Sequence, residues 1–123
     1  MTRAQLGDLP VSQLVERFVS IALAQHEALD MENYSKFNRL YSEMEAVRQE
    51  LKSRPGDQRR ALLSLLSHSN AQVRLKAAIT TLALAPLASR QALQLIWDRK
   101  EFPQAADALG MIRAIDNGRY VPT

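Results

Sequence analysis

The chain has 123 residues, of which 46% are hydrophobic and 24% charged; sixteen Lys and Arg face thirteen Asp and Glu, for a formal charge of +3. That length suits one domain with a sizeable core, and the balance of apolar and charged residues excludes a disordered or membrane-embedded chain. The absence of cysteine excludes disulfides, thiolate metal sites and thiol nucleophiles; it is compatible with a reducing cytoplasm without demanding one.

Four Gly and three each of Phe and Tyr, against abundant Ala and Leu, favour helices over strands. Met1 to Pro10 holds no apolar stretch of the kind a secretion signal needs, and no later segment stays uncharged long enough to span a bilayer. A soluble, cytoplasmic protein without membrane contact is expected. Ser12 offers a capping hydroxyl, and Leu14, Phe18, Ile21, Ala22, Gln25 and Leu29 recur at helical spacing, which predicts a first helix over about Ser12 to Leu29. Asp30 then caps a second helix running to about Ser53, with Phe37, Leu40, Tyr41, Met44, Val47 and Leu51 on one face. Arg54-Pro55-Gly56-Asp57 reads as a stop and restart: Pro55 removes its predecessor from helical geometry, Gly56 tolerates positive φ and Asp57 supplies a cap oxygen.

A third helix, a turn and a fourth helix are expected over 57–85, with Asn70 as the second cap. Pro86 opens a fifth helix carrying Leu87, Ala88, Ala92, Leu95, Ile96 and Trp97. Pro103 opens a sixth with Ala105, Ala106, Leu109, Met111 and Ile112, closed by Asn117-Gly118 and followed by a loose tail. Ala78 and Leu82 share the Ala-x-x-x-Leu spacing of Ala105 and Leu109, 27 residues on, as stacked helix pairs would.

The middle pair resembles a HEAT repeat through Leu62, Leu63, Leu65 and Leu66, the Val73-Arg74 pair, and Ala77, Ala78 and Leu82. The 27-residue offset is shorter than the ~40 to 47 residues of ordinary HEAT repeats, which points to a short variant. Further along the chain, Lys36-Phe37-Asn38-Arg39-Leu40-Tyr41, Glu50-Leu51-Lys52-Ser53-Arg54 and Phe102-Pro103-Gln104-Ala105-Ala106-Asp107-Ala108 look like a small bacterial HEAT-like family of unknown function. The resemblance implies an all-α fold, a short right-handed α-solenoid of about six helices in three antiparallel pairs (12–53, 57–85 and 86–116, with a tail at 117–123); a plain helical bundle is the alternative. His68 stands where such repeats usually carry an acid, so Arg74 must tie to a backbone carbonyl or a more distant carboxylate.

Chemistry-bearing patterns are sparse. His26 and His68 lie on different segments without a second ligand at helical spacing, so no metal is expected. Ser67 and Ser69 flank His68 but no nucleophile elbow surrounds them, and isolated glycines make no phosphate cradle; no cofactor and no catalysis are expected. Arg48, Lys52, Arg54, Arg59 and Arg60 gather around the Pro55-Gly56 turn, where a phosphate backbone could engage them. DNA-binding HEAT-like proteins exist, among them alkylpurine DNA glycosylases, but no aromatic residues interleave with this cluster as base stacking requires.

The reading these features favour is a non-catalytic protein-interaction module whose second helices present Arg39, Gln72, Lys76, Thr80, Gln104 and Asp107 to an unidentified protein partner or a second copy. The alternatives are a nucleic-acid-associated protein using the basic cluster, and an accessory subunit of an enzyme, as some bilin lyase subunits carry short HEAT repeats.

Overall fold

Thr2 begins the helical part of the chain with a reciprocal cap: its hydroxyl accepts from the Gln5 N–H at 3.2 Å, and its own N–H donates to Gln5 Oε1 at 2.7 Å. The short helix α1 (Arg3–Gly7) follows. The computed structural model of the protein describes residues 2–123, apart from the side chain of Arg3. After α1 come α2 (Val11–Asp30), α3 (Tyr34–Ser53), a 3-10 helix (Gln58–Ser67), α4 (Ala71–Thr81), α5 (Pro86–Asp98) and α6 (Gln104–Asp116). The described residues are all-helical or turn, with no strand, and no helix among them is long and apolar enough to cross a membrane.

Helix starts depart from expectation in two places. Pro10, not Ser12, precedes α2, as its fixed φ suits entry into a helix. Asp30 stays inside α2, and Asn33 caps α3 instead by accepting from the Lys36 N–H at 3.1 Å. The stop at Pro55 is as expected, with Gly56 at φ +79° and Asp57 Oδ1 accepting from the Arg59 N–H at 3.3 Å. Asn70 caps α4 through the N–H groups of Gln72 and Val73, and Pro86 occupies the first turn of α5.

The expected third helix takes 3-10 form. At three residues per turn its side chains fall on three rows: Arg59, Leu62 and Leu65 are buried, Ser64 and Ser67 are exposed, and Leu63 and Leu66 are half-buried. The Leu-Leu-x-Leu-Leu run satisfies the i,i+3 spacing of either helix type, so the sequence alone could not separate them.

The chain forms two compact units, one ending at Ala61 and the other running Leu62–Thr123. In the first, α2 packs on α3 and α1 lies against α3. Leu14, Phe18, Ile21, Ala22 and Ala28 of α2 are buried, as are Leu40, Met44, Val47 and Leu51 of α3. Arg54 fastens α1 by donating to the carbonyls of Leu6 (3.1 Å) and Gly7 (3.4 Å) while its Nε holds Glu50 at 2.9 Å.

In the second unit α5 packs on both α4 and α6, around Leu75, Ala78, Leu82, Ala92, Leu93, Ile96, Ala105, Ala108 and Ile112. Small residues from three helices line this centre, which permits close approach. Ala78 is fully buried, so Ala78→Leu is expected to overpack the core and cost about 1 to 3 kcal/mol. A urea midpoint left unmoved by that change would place Ala78 at a surface. The end of the chain is less loose than expected: the Tyr120 N–H reaches the Ala114 carbonyl at 3.0 Å and its ring packs on the core.

Candidate functional site

The turn between the 3-10 helix and α4 folds around its own polar side chains. Asn70 spends its amide oxygen on the first N–H groups of α4 (2.9 and 3.1 Å) and gives its own N–H to His68 Nδ1 at 3.0 Å. That bond leaves the ring proton of a neutral His68 on Nε2. One turn into α4, Arg74 reaches back: Nε donates to the His68 carbonyl at 2.7 Å and Nη2 to the Ser69 carbonyl at 3.4 Å. The rest of its guanidinium grips Glu101 in a fork, at 2.7 Å to Oε1 and 2.6 Å to Oε2. Both routes open to Arg74, a backbone carbonyl and a distant carboxylate, are therefore used together.

Glu101 was hidden in the sequence within a charged run after α5. Lys100 before it adopts φ +53°, and the Glu101 N–H returns to the Ile96 carbonyl at 3.2 Å, so the chain reverses sharply and aims the carboxylate at Arg74. The hydrogen bonds from Arg74 hold the Glu101 carboxyl below its ordinary range, against an opposing push from burial, with the charges of Arg74 and Arg99 adding to the depression. The same pairing raises Arg74 further. Beside this turn Lys100 Nζ lies 3.5 Å from the centre of the half-buried Trp97 ring, which also meets Phe102 edge-on at 6.3 Å.

A pocket of about 340 Å³ opens over this turn, lined by Leu66, Ser67, His68, Ser69, Arg74, Ala92, Leu95 and Arg99. No acid lines it. Arg74 is committed to four acceptors, whereas His68 Nε2, the Ser69 hydroxyl and the exposed Arg99 guanidinium have no hydrogen-bond partner among the described residues. The pocket thus offers donors beside aliphatic walls.

Of the six residues expected to form a binding face, three are buried. Gln72 and Gln104 are 1% and 2% exposed and Thr80 is buried. Gln104 Nε2 donates to Gln72 Oε1 at 3.0 Å, and the Thr80 hydroxyl turns back to the Lys76 carbonyl at 2.7 Å. Lys76 is half-buried, and desolvation lowers its ammonium pKa while Asp107 opposes that shift. Only Arg39 and Asp107 of the six are exposed.

The cations around Pro55 are likewise held by neighbours. Arg59 is buried and clasps Asp57 at 2.9 and 2.7 Å. Arg48 pairs with Glu45 at 3.0 Å, Arg54 with Glu50, and Arg60 Nε donates to the Asp57 carbonyl at 3.3 Å. Lys52 is half-buried. Apart from Lys52, what reads in sequence as a basic cluster is a set of ion pairs and backbone ties. His26 lies 3.5 Å from Asp30, one turn along α2.

Comparison with known proteins adds the following. A crystal structure of the protein RPA1889 from Rhodopseudomonas palustris is similar, with a TM-score of 0.94 and 43% sequence identity over 96% of this chain and 98% of that one. No curated protein matches the chain. The family described as a domain of unknown function, DUF2019, matches residues 12–116, and with that span the chain belongs to the DUF2019 family.

Proposed function

We propose that the protein is a non-catalytic protein-interaction module of HEAT-like build, acting in the cytoplasm, and that its binding surface is the outer face of α5 with the pocket at its end. One observation carries this reading. Leu87, Gln91, Leu95 and Arg99 follow one another at four-residue spacing, which places them on one side of the helix. All four are exposed, Leu87 at 79% and Leu95 at 48%. Two large aliphatic side chains kept in water on one face, beside a pocket, have no role in this unit's own core, and exposed apolar surface next to a polar rim is the common signature of a partner site.

This surface differs from the face expected from sequence, of whose six residues three are buried. The nucleic-acid reading loses support because Arg48, Arg54 and Arg59 already hold carboxylates. An accessory role beside an enzyme is one form the interaction reading can take.

The double change Leu87→Asp with Leu95→Asp tests it. Both positions are at the surface, so stability is expected to stay within about 0.5 kcal/mol, while affinity capture of the native partner is expected to be lost. Undiminished capture by the doubly substituted protein would move the binding surface elsewhere.

A further inference from the structure

The pocket selects the chemistry of what enters it. Its unengaged polar groups can all donate: His68 at Nε2, since Nδ1 accepts from Asn70, the Ser69 hydroxyl and the Arg99 guanidinium. Of the other charges nearby, Arg74 and Glu101 hold each other, and the Asp98 carboxylate, which accepts from Gln94 at 2.9 Å, does not line the pocket. A ligand that satisfies these donors brings acceptors and negative charge. Leu66, Ala92 and Leu95 also line it, so the same ligand brings an aliphatic group as well. A volume of about 340 Å³ is at the small end of ligand sites, enough for one aliphatic residue and its carboxylate.

We propose that this pocket captures the free C-terminal carboxylate of a partner polypeptide, together with its terminal aliphatic side chain. This rests on the reading of the α5 face as an interaction surface. Leu87 to Arg99 covers roughly 18 Å along the helix, which an extended segment of about five residues would follow. A small organic acid would fill the pocket and leave Leu87 and Gln91 without a role. A chain end uses both: the carboxylate meets Arg99, with His68 and Ser69 as further donors, the last side chain enters between Leu66 and Leu95, and preceding apolar residues lie on the α5 stripe. Arg99 is suited to the task because its planar fork matches a carboxylate.

Fluorescence anisotropy with a labelled hexapeptide ending in two leucines tests this, comparing the free acid with the C-terminal amide. The acid is expected to bind at least about tenfold more tightly than the amide, the difference a charge-assisted hydrogen bond makes. Arg99→Gln, an exposed change that leaves the fold intact, is expected to erase that difference. In the parent protein, backbone amide resonances of Ser69, Leu95 and Arg99 are expected to shift with the acid. Equal affinity for acid and amide overturns the proposal, as does an acid preference that survives in Arg99→Gln. Isovalerate binding as tightly as the peptide would make the pocket a small-acid site and overturn it too. If neither peptide binds at ~1 mM, weaker than any useful recognition, while Leu87→Asp with Leu95→Asp still abolishes partner capture, the carboxylate assignment falls and the interaction reading stands.

Discussion

Arg74→Ala is expected to destabilise the protein by about 3 kcal/mol, the cost of leaving one member of a largely buried pair without the other. The side chains of Arg74 and Glu101 are only 10% and 26% exposed, so water repays little of the loss. The substitution also frees the His68 and Ser69 carbonyls that Arg74 holds. Arg74→Lys is expected to recover only part, since one ammonium cannot span two carboxylate oxygens and two carbonyls at once. The pair has an acid limit whose sign follows from Glu101. Its folded-state carboxyl titrates below the ordinary glutamate value of 4.5. The stabilisation is therefore complete above that pH and is lost as pH falls through the lower folded value. Urea midpoints at pH ~7 and ~3 check this: the drop between them should be smaller in Arg74→Ala than in the parent.

The second large effect is expected at Asp57. Asp57→Ala removes the carboxylate that clasps Arg59, whose side chain is 3% exposed, and a charge that deeply covered depends on its counter-ion. A loss of about 3 kcal/mol is expected, read as a fall in urea midpoint. Asp57 also sits at φ +53°, a conformation that alanine adopts less readily than aspartate or asparagine. Asp57→Asn therefore separates the two costs, keeping the backbone tolerance while removing the charge. It should lose less than alanine. Hydrogen bonds from Arg59 lower the Asp57 carboxyl below 3.8, so this contribution also fades in acid, as pH drops below that value.

Local grammar in the sequence was the legible part. Asn70, Pro86, Gly56 and the Asn117-Gly118 ending act within a few residues of themselves, and each stands where its own chemistry puts it. Helix α1 was readable by the same grammar, since Thr2 and Gln5 make a capping box, but five residues give no periodicity to draw attention to it. The surroundings of the expected binding-face residues are less legible, for a different reason. Polar side chains such as Gln72, Thr80 and Gln104 suit a solvated face, yet eight of the eleven residues of α4 are buried. Such a helix keeps polar side chains only when each finds a partner, here a carbonyl one turn back or a second glutamine 32 positions away. Glu101 escaped for the same reason: its partner is 27 residues distant, and no spacing rule reaches that far.

The three-row construction of Gln58–Ser67 bears on what lengths this segment tolerates. In an α-helix, an added residue turns the downstream face by 100°, and a broad apolar stripe absorbs part of the shift. In a helix of period three the rows are separated by about 120°. One inserted or deleted residue would carry a whole row into its neighbour's place. Upstream of Leu62, an insertion would leave the buried row of Arg59 continuing through Ala61 and Ser64. An alanine and a serine would then stand where leucines belong. Length variation among members of this family should accordingly collect in the turns on either side, and the ten positions between should change by substitution alone.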